Sequence, residues 1–203
     1  MQLLSKRQIS MQTLAKFDVF EIEKGKCNYF GDSIKVDDIR EGVYFPLYYF
    51  NKKLLGYALR KLHDSNEKWV YSKSFKRNHF LYGFVENFKA IKEKKEVILV
   101  EGLFDCLKLV DEGFTNTVSS FGTLFTFYHF VLLYPLVNRI ILIPDSDEGG
   151  NKMIEKVKEI INNKLELDII KLPKNYDPDD FLIKYGKKAF SNLILKKGGE
   201  YVK

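Results

Sequence analysis

The chain has 203 residues, 45% of them hydrophobic, which is enough to bury a core in one large domain or in two small ones. It has no run of about 18 uncharged apolar residues, so no transmembrane helix is predicted. Its first residues, MQLLSKRQIS, lack the apolar centre and the cleavage site of a signal peptide. We therefore expect a cytoplasmic protein that does not contact a membrane.

The net charge of +6 is unevenly distributed along the chain. Up to Lys95 there are 19 Lys and Arg against 11 Asp and Glu, a net charge of +8, whereas the remainder has 14 against 16, a net charge of −2. Residues 52–77 hold eight basic and two acidic residues, with aromatic residues between them. Such a mixture suits a surface that follows a phosphate backbone and stacks bases. Taken alone, this half also fits the ordinary solvated face of a lysine-rich protein.

The first part of the chain is predicted to contain a short helix, three strands and a charged helix, in that order, at residues 10–17, 43–50, 54–62, 68–72 and 86–95. Ser10 is placed to cap the first helix. The first two strands are aromatic and aliphatic runs separated only by Asn51, Lys52 and Lys53, which predicts an antiparallel hairpin. We therefore predict a small basic α+β subdomain over residues 1–95.

From Glu96 onward, strand patterns alternate with helix patterns. The strand segments are residues 96–102, 117–122, 139–147 and 165–173, and the helical segments are residues 104–113, 124–137 and 151–164. This alternation predicts βαβ crossovers and therefore an α/β domain with a mostly parallel sheet and helices on both faces. The domain is predicted to span residues 96–203 and to end in a helical segment.

Acidic residues follow several of these strands. Glu101 follows VILV, Asp145 and Asp147 follow RIILIP, and the segment 177–180, with sequence DPDD, follows DIIKLP. Sites in parallel sheets lie at the carboxyl ends of the strands, so the three acidic clusters are expected at one edge. Without a cation their charges would repel and raise one another's pKa. Carboxylate oxygens favour Mg²⁺ or Mn²⁺, and such ions bind substrate phosphates, which indicates phosphoryl-transfer chemistry.

Each acidic cluster also has an ordinary structural explanation. An Asp-x-Asp followed by glycine is common in turns, and alone it is more often a loop or a helix cap than a metal site. Asp179 and Asp180 fit the start of a helix. The coincidence of three clusters at three strand ends is what favours a metal site. No zinc is expected, because Cys27 and Cys106 lack the spacing of metal ligands.

Several segments together resemble a known family. The stretches VILVEGLFDCLKL, TVSSFGT and IPDSDEGGNK resemble the Toprim domain, in which a glutamate at a strand end is followed later by DxDxxG. LPKNYDPDDFLIKYGKKAF resembles the segment after the Toprim domain in DnaG-type primases of bacteria and phages. Upstream, VYFPLYYFNKKLLGYALRKL and KWVYSKSFKRNHFLYG resemble the basic N-terminal subdomain of the primase RNA polymerase core.

The resemblance implies roles for individual residues. The principal metal-binding carboxylates, which are also the catalytic residues, would be Glu101, Asp145 and Asp147. Further carboxylates that complete or orient the metal cluster would be Asp105, Asp177 and Asp179. Residues that bind nucleotide or DNA would be Arg60, Lys61, Lys68, Lys76, Arg77, Gly102, Gly150 and Lys152. A role for Glu101 in proton transfer stays open. Gly42 stands where the family usually has an arginine, and whether Arg40 replaces that arginine also stays open.

The activity implied by the resemblance is that of a DNA primase, which synthesises short RNA primers from NTPs on a single-stranded DNA template with Mg²⁺ or Mn²⁺. One ion would activate the primer 3′-hydroxyl and a second would stabilise the leaving pyrophosphate. The 203 residues contain neither the zinc ribbon nor the helicase-binding module of the family. We therefore expect either an excised core or a minimal primase that relies on separate partners, namely a zinc-binding module or a replicative helicase. The alternatives are a Toprim-type metal-dependent nuclease and a non-catalytic nucleic-acid-binding module. The composition, rich in Lys, Asn, Ile and Phe, is compatible with a phage origin.

Overall fold

The computed structural model describes residues 2–23, 26–28, 40–62, 67–73 and 75–195, and the chain divides into two compact units, residues 1–75 and 76–203. We predicted a division after Lys95, whereas the division of the structure comes after Phe75. The helix Phe84–Lys94 falls in the second unit because its buried residues Phe84 and Ile91 belong to the core of that unit. Within the described ranges, no helix combines the length and the apolar character needed to cross a membrane.

The first unit consists of two short helices and an antiparallel sheet with the strand order β2–β1–β3–β4–β5. Its elements are α1 (Gln2–Lys6), α2 (Met11–Lys16), β1 (Phe20–Glu23), β2 (Lys26–Asn28), β3 (Gly42–Tyr48), β4 (Leu54–Lys61) and β5 (Trp69–Tyr71). The predicted hairpin is confirmed, since β3 pairs antiparallel with β4. Ser10 caps α2, where its Oγ accepts the N–H of Thr13 at 3.3 Å. The sequence pattern did not predict α1, β1 or β2.

The second unit contains a fully parallel sheet with the strand order β7–β6–β8–β9. Its elements are the 3₁₀ turn (Arg77–His79), α3 (Phe84–Lys94), β6 (Glu96–Val100), α4 (Leu103–Asp111), β7 (Thr117–Ser119), α5 (Phe127–Leu133), β8 (Arg139–Ile143), α6 (Glu148–Ile161), β9 (Glu166–Ile169) and α7 (Pro178–Leu195). The α/β class with a parallel sheet is confirmed, and β6 and β8 form its centre. Residues 196–203 of the predicted C-terminal segment lie outside the described residues.

Both faces of this sheet are buried. Val97 and Leu99 belong to one core cluster, together with apolar side chains of α3, α5 and α6. The alternate residues Ile98 and Ile141 are also buried, and α4 and α7 pack against each other. Because successive residues of a strand point to opposite faces, this pattern requires helices on both sides of the sheet.

The bounds of α5 and α6 differ from the sequence prediction, and α7 is kinked. We predicted a helix over residues 124–137, but α5 is shorter because Thr126 caps its start and Tyr134, followed by Pro135, caps its end. Helix α6 begins at Glu148 rather than at Asn151, because the side chain of Asp147 serves as its N-cap. Helix α7 is kinked at Gly186, where φ is +76°.

Candidate active site

Glu101 lies directly after β6 and is tied to the neighbouring segments. Its side chain is 6% exposed, and its Oε1 accepts the backbone N–H of Asp145 at 3.0 Å. Its backbone carbonyl accepts the hydroxyl of Ser119 at 2.6 Å and the N–H of Gly122 at 2.8 Å. The ends of β7 and β8 therefore fix the position of the Glu101 carboxylate.

Asp145 and Asp147 occupy the turn between β8 and α6. The Oδ1 atom of Asp145 is buried and has no hydrogen-bond partner among the described residues. Asp147 is exposed, and its Oδ1 accepts the N–H of Gly150 at 2.8 Å. A Cβ atom at Gly150 would lie 2.0 Å from the carbonyl oxygen of Asp145, so only glycine allows this tight turn.

The remaining predicted carboxylates lie where α7 begins beside α4. Asp105, 6% exposed, accepts the backbone N–H of Asp179 on its Oδ1 at 3.2 Å. Asp177 accepts the N–H of Asp180 on its Oδ1 at 2.7 Å, which caps the start of α7. A Cβ atom at Gly102 would lie 2.1 Å from Oδ2 of Asp105. The helix-start interpretation of DPDD is thus correct, and the same segment also contributes acidic groups near Asp105.

The carboxylates raise one another's pKa. The pKa of Glu101 is raised from 4.5 to about 7, mainly by burial and then by the charges of Asp145 and Asp147. Burial, followed by the charges of Asp177 and Asp147, raises the pKa of Asp145 from 3.8 to about 6. The pKa of Asp105 is raised well above its ordinary value by burial and then by the charges of Asp177 and Asp145. These shifts arise when acidic groups share a poorly solvated site without a counter-charge.

The donor set has the chemistry of a site for a hard divalent cation. All the side-chain donors are carboxylate oxygens, and the buried Oδ1 of Asp145 lacks a partner among the described residues. Within the described part of the chain, no three acidic, histidine or cysteine side chains stand close enough to hold a metal ion by themselves. Mg²⁺ usually keeps several waters and takes one or two protein carboxylates, so the residues present fit this ion. Cys106 is buried and free, and the side chain of Cys27 lies outside the described residues.

The predicted basic residues are divided between the two units. In the first unit, the guanidinium of Arg60 lies 5.8 Å from the ring centroid of Trp69 and donates to the carbonyl of Lys68 at 3.3 Å. Lys61, at the end of β4, donates its backbone N–H to the same carbonyl. In the second unit, the exposed Lys76 and Arg77 lie at the 3₁₀ turn. The predicted nucleotide-binding residue of α6, Lys152, forms an exposed ion pair with Glu148 at 2.7 Å.

The structure explains the absence of an arginine at residue 42. A Cβ atom at Gly42 would lie 2.4 Å from the backbone oxygen of Arg60, so β3 and β4 approach too closely for any side chain there. Arg40 is exposed, and its backbone N–H and carbonyl both bond to the hydroxyl of Tyr44 at 3.0 Å.

A cleft beside Asp145 and Asp147 was not predicted from the sequence. The cleft has a volume of about 200 Å³, and Lys171 and Lys174 line it together with these two carboxylates. The loops on its two sides are joined because Ser146 accepts the backbone N–H of Asn175 at 3.0 Å. The signal in the sequence was the pair Lys171 and Lys174, which flank Leu172 and Pro173 shortly before DPDD.

Residues 98–182 match the model of the Toprim-like family, and this match spans β6, β8 and the start of α7. This part of the second unit is therefore similar to the Toprim-like family. The acidic residues Glu101, Asp145 and Asp179 lie within the matched range. The similarity thus covers the carboxyl edge of the sheet, where the carboxylates converge.

Comparison with whole proteins extends the similarity beyond the Toprim-like domain. The chain is 33% identical over 159 residues to the DNA primase of Chlamydia pneumoniae, covering 75% of this chain and 27% of that protein. It is 34% identical over 179 residues to the DNA primase of Clostridium acetobutylicum, covering 85% of this chain and 28% of that protein. The chain thus spans little more than a quarter of the length of these primases.

Solved structures show the same relationship. The zinc-binding and RNA polymerase domains of the Aquifex aeolicus primase match with a TM-score of 0.80 and 25% identity, covering 97% of this chain and 55% of that one. The DnaG primase catalytic domain bound to single-stranded DNA matches with a TM-score of 0.77 and 23% identity, covering 97% of this chain and 73% of that one. The chain therefore resembles the RNA polymerase core of DnaG-type primases, including its Toprim-like domain.

Proposed function

We propose that this chain is the catalytic core of a DNA primase, which joins ribonucleotides into a short primer on a single-stranded DNA template. The observation that carries the proposal is the group of buried, mutually repelling carboxylates at the carboxyl edge of the Toprim-like sheet. Similarity to DNA primases over both units supports it, because a shared Toprim-like domain alone would not extend into the first unit.

The carboxylates Glu101, Asp145 and Asp147 would hold Mg²⁺ or Mn²⁺, with Asp105, Asp177 and Asp179 completing or orienting the group. A bound divalent ion would supply Lewis-acid stabilisation of the charges that develop during phosphoryl transfer. Within the chain, the backbone N–H of Asp145 holds the Glu101 carboxylate in place. The cap at Gly150 keeps Asp147 at the end of β8. These contacts orient the acidic groups before substrate arrives.

The basic residues of both units would bind the negatively charged substrates. Arg60, Lys61 and Lys68 in the first unit, and Lys76 and Arg77 in the second, would contact template phosphates and the NTP triphosphate. Gly102 and Gly150 would allow the backbone to approach the nucleotide, and Lys152 would contact the nucleic acid. Such contacts give affinity that depends on salt and not on base sequence. The structure of one similar catalytic domain has single-stranded DNA bound, which supports this ligand.

We expect the protein to work in the cytoplasm of a bacterium or of a phage-infected cell, where DNA primases act. A replicative helicase and a zinc-binding module are expected partners, and the Aquifex aeolicus primase carries a zinc-binding domain together with its polymerase domain. Both partners belong to the proposal.

The test is incubation with single-stranded DNA, all four labelled NTPs and Mg²⁺ or Mn²⁺, with products resolved on a denaturing gel. We expect short oligoribonucleotides, and we expect Asp147→Ala to abolish them while the variant keeps the circular dichroism spectrum of the wild type. A parallel reaction without NTPs tests the Toprim-type nuclease. Cleavage of DNA in that reaction, without RNA synthesis, would replace the primase proposal. Salt-dependent DNA binding without any product would favour a non-catalytic binding module.

A further inference from the structure

Helix α5 presents large apolar side chains to solvent along one side. Phe127, Tyr128, Val131 and Tyr134 are 63%, 54%, 50% and 49% exposed. Their spacing places them along one side of the helix, whereas Phe130 and Leu133 belong to the buried core cluster. Monomeric proteins seldom expose large contiguous apolar patches unless the patch binds a ligand. The carboxylate site does not account for this face.

The N-terminal end of this face adjoins a basic segment. The ring of His79, in the 3₁₀ turn, lies 4.0 Å from the ring of Tyr128 between centroids. Lys76 and Arg77, immediately before His79, are exposed. Residues 68–85 and 113–138, which include both segments, contain no Asp or Glu. Rings and cations therefore share one surface, which we call the ring platform: Lys76, Arg77, His79, Phe127 and Tyr128.

Two side chains hold the ring platform together: Thr126, the N-cap of α5, and His129, within α5. The hydroxyl of Thr126 donates to the carbonyl of Asn78 at 2.7 Å. The Nε2 atom of His129 lies 3.2 Å from the carbonyl of Arg77, and its Nδ1 accepts the N–H of Thr126 at 3.3 Å. Because Nδ1 accepts, Nε2 carries the proton and donates to that carbonyl. Burial lowers the pKa of His129 to about 4, so the ring stays neutral and keeps this pattern near neutral pH.

We propose that the ring platform binds single-stranded nucleic acid, with bases stacked on Tyr128 and Phe127 and phosphates contacted by Lys76 and Arg77. Exposed rings interleaved with cations are the composition that single-strand binding surfaces use, because every base has a face that can stack. The absence of carboxylates in both segments removes the repulsion that a phosphate backbone would otherwise meet. The proposal rests on the proposed function, which requires a single-stranded template, and adds to it a stacking site on α5.

The test measures binding of a fluorescent oligothymidylate and of an abasic strand of the same length, at low salt, in EDTA and without NTPs. Tyr128→Ala should weaken binding of oligothymidylate by roughly 5- to 100-fold, the range expected for one lost stacking contact. Tyr128→Trp should restore it, and neither change should alter binding of the abasic strand. The matched control is Tyr134→Ala, a tyrosine that caps the C-terminal end of α5 and is 49% exposed. This control should bind both strands like the wild type.

Each other outcome overturns the proposal. Equal weakening for both strands means that Tyr128 acts through charge or folding and not through stacking. Unchanged binding of both strands leaves a protein partner, including a second copy of this chain, as the occupant of the face. Because the assay requires no synthesis, an inactive chain can still support the stacking site and an active chain can still refute it. Failure of the proposed function is therefore distinguishable from failure of this inference.

Discussion

Replacing Asp145 with asparagine should stabilise the metal-free protein while abolishing its activity. Asparagine has nearly the same shape but no charge, so it removes a buried carboxylate that is repelled by Asp177 and Asp147. The rise in the pKa of Asp145 from 3.8 to about 6 corresponds to roughly 3 kcal/mol of unfavourable free energy in the ionised folded state. Part of the cost of burying a polar group remains, so we expect a gain of roughly 1–3 kcal/mol, or about 2–10 °C in Tm.

The direction in which pH changes the free energy of unfolding follows from proton binding by Asp145. Because the pKa of Asp145 is raised on folding, the folded state binds more protons than the unfolded state between pH 3.8 and about 6. The free energy of unfolding therefore falls as the pH rises through this window. The gain from Asp145→Asn should be complete above this window and should vanish below it.

The assay is thermal unfolding followed by circular dichroism in EDTA at about pH 8, above both raised pKa values. The control is Glu155→Gln in α6, whose side chain is 74% exposed, and it should change stability by less than about 0.5 kcal/mol. Added Mg²⁺ should stabilise the wild type more than Asp145→Asn, because binding to the folded state raises Tm. A Tm for Asp145→Asn in EDTA that equals or falls below that of the wild type would refute the reasoning.

Other variants and conditions test further parts of the account. Gly150→Ala should abolish synthesis and lower Tm, because its Cβ would lie 2.0 Å from a backbone oxygen. Gly149→Ala is the control and should retain activity, because the nearest atoms to a Cβ there would lie at 3.1 Å. If both variants behave alike, the tight turn is not required. In EDTA the free energy of unfolding of the wild type should fall as the pH rises from 4.5 to about 7, because the raised pKa of Glu101 makes its ionisation in the folded state unfavourable. Melting curves should show a smaller loss when Mg²⁺ is present. Arg60→Ala should weaken DNA binding and reduce the magnitude of the slope of log affinity against log salt by about 1. The control Lys156→Ala, on α6, should leave this slope unchanged. Equal slopes for the two variants would contradict a phosphate contact at Arg60.

The parallel part of the fold could be predicted because its strands are continuous apolar runs. Both faces of β6 and β8 are buried, so EVILV and RIILI contain no alternation that could be mistaken for a surface strand. The rule that sites lie at the carboxyl ends of strands then predicted that Glu101 and Asp145 lie close together. In the structure, the backbone N–H of Asp145 donates to the Glu101 carboxylate at 3.0 Å.

The first unit was harder to predict because tertiary contacts determine its short strands. β1 is the sequence FEIE, whose Glu21 is fully buried and accepts the N–H groups of Leu3 and Leu4 at 3.1 and 3.4 Å. A glutamate that caps a helix distant in sequence gives no local strand signal. Likewise, the start of α6 was misplaced because the helix was predicted from the pattern that begins at Asn151, whereas the side chain of Asp147 caps a helix that begins at Glu148.

The most direct test of the central claim is extension of an RNA primer already annealed to a DNA template, because this reaction needs no start-site recognition. Each of the four NTPs is offered singly with Mg²⁺ or Mn²⁺ on templates that differ only in the next base. Our account predicts that only the complementary ribonucleotide is added and that Asp145→Asn adds none. Addition without regard to the template base, or undiminished addition by Asp145→Asn, would contradict it.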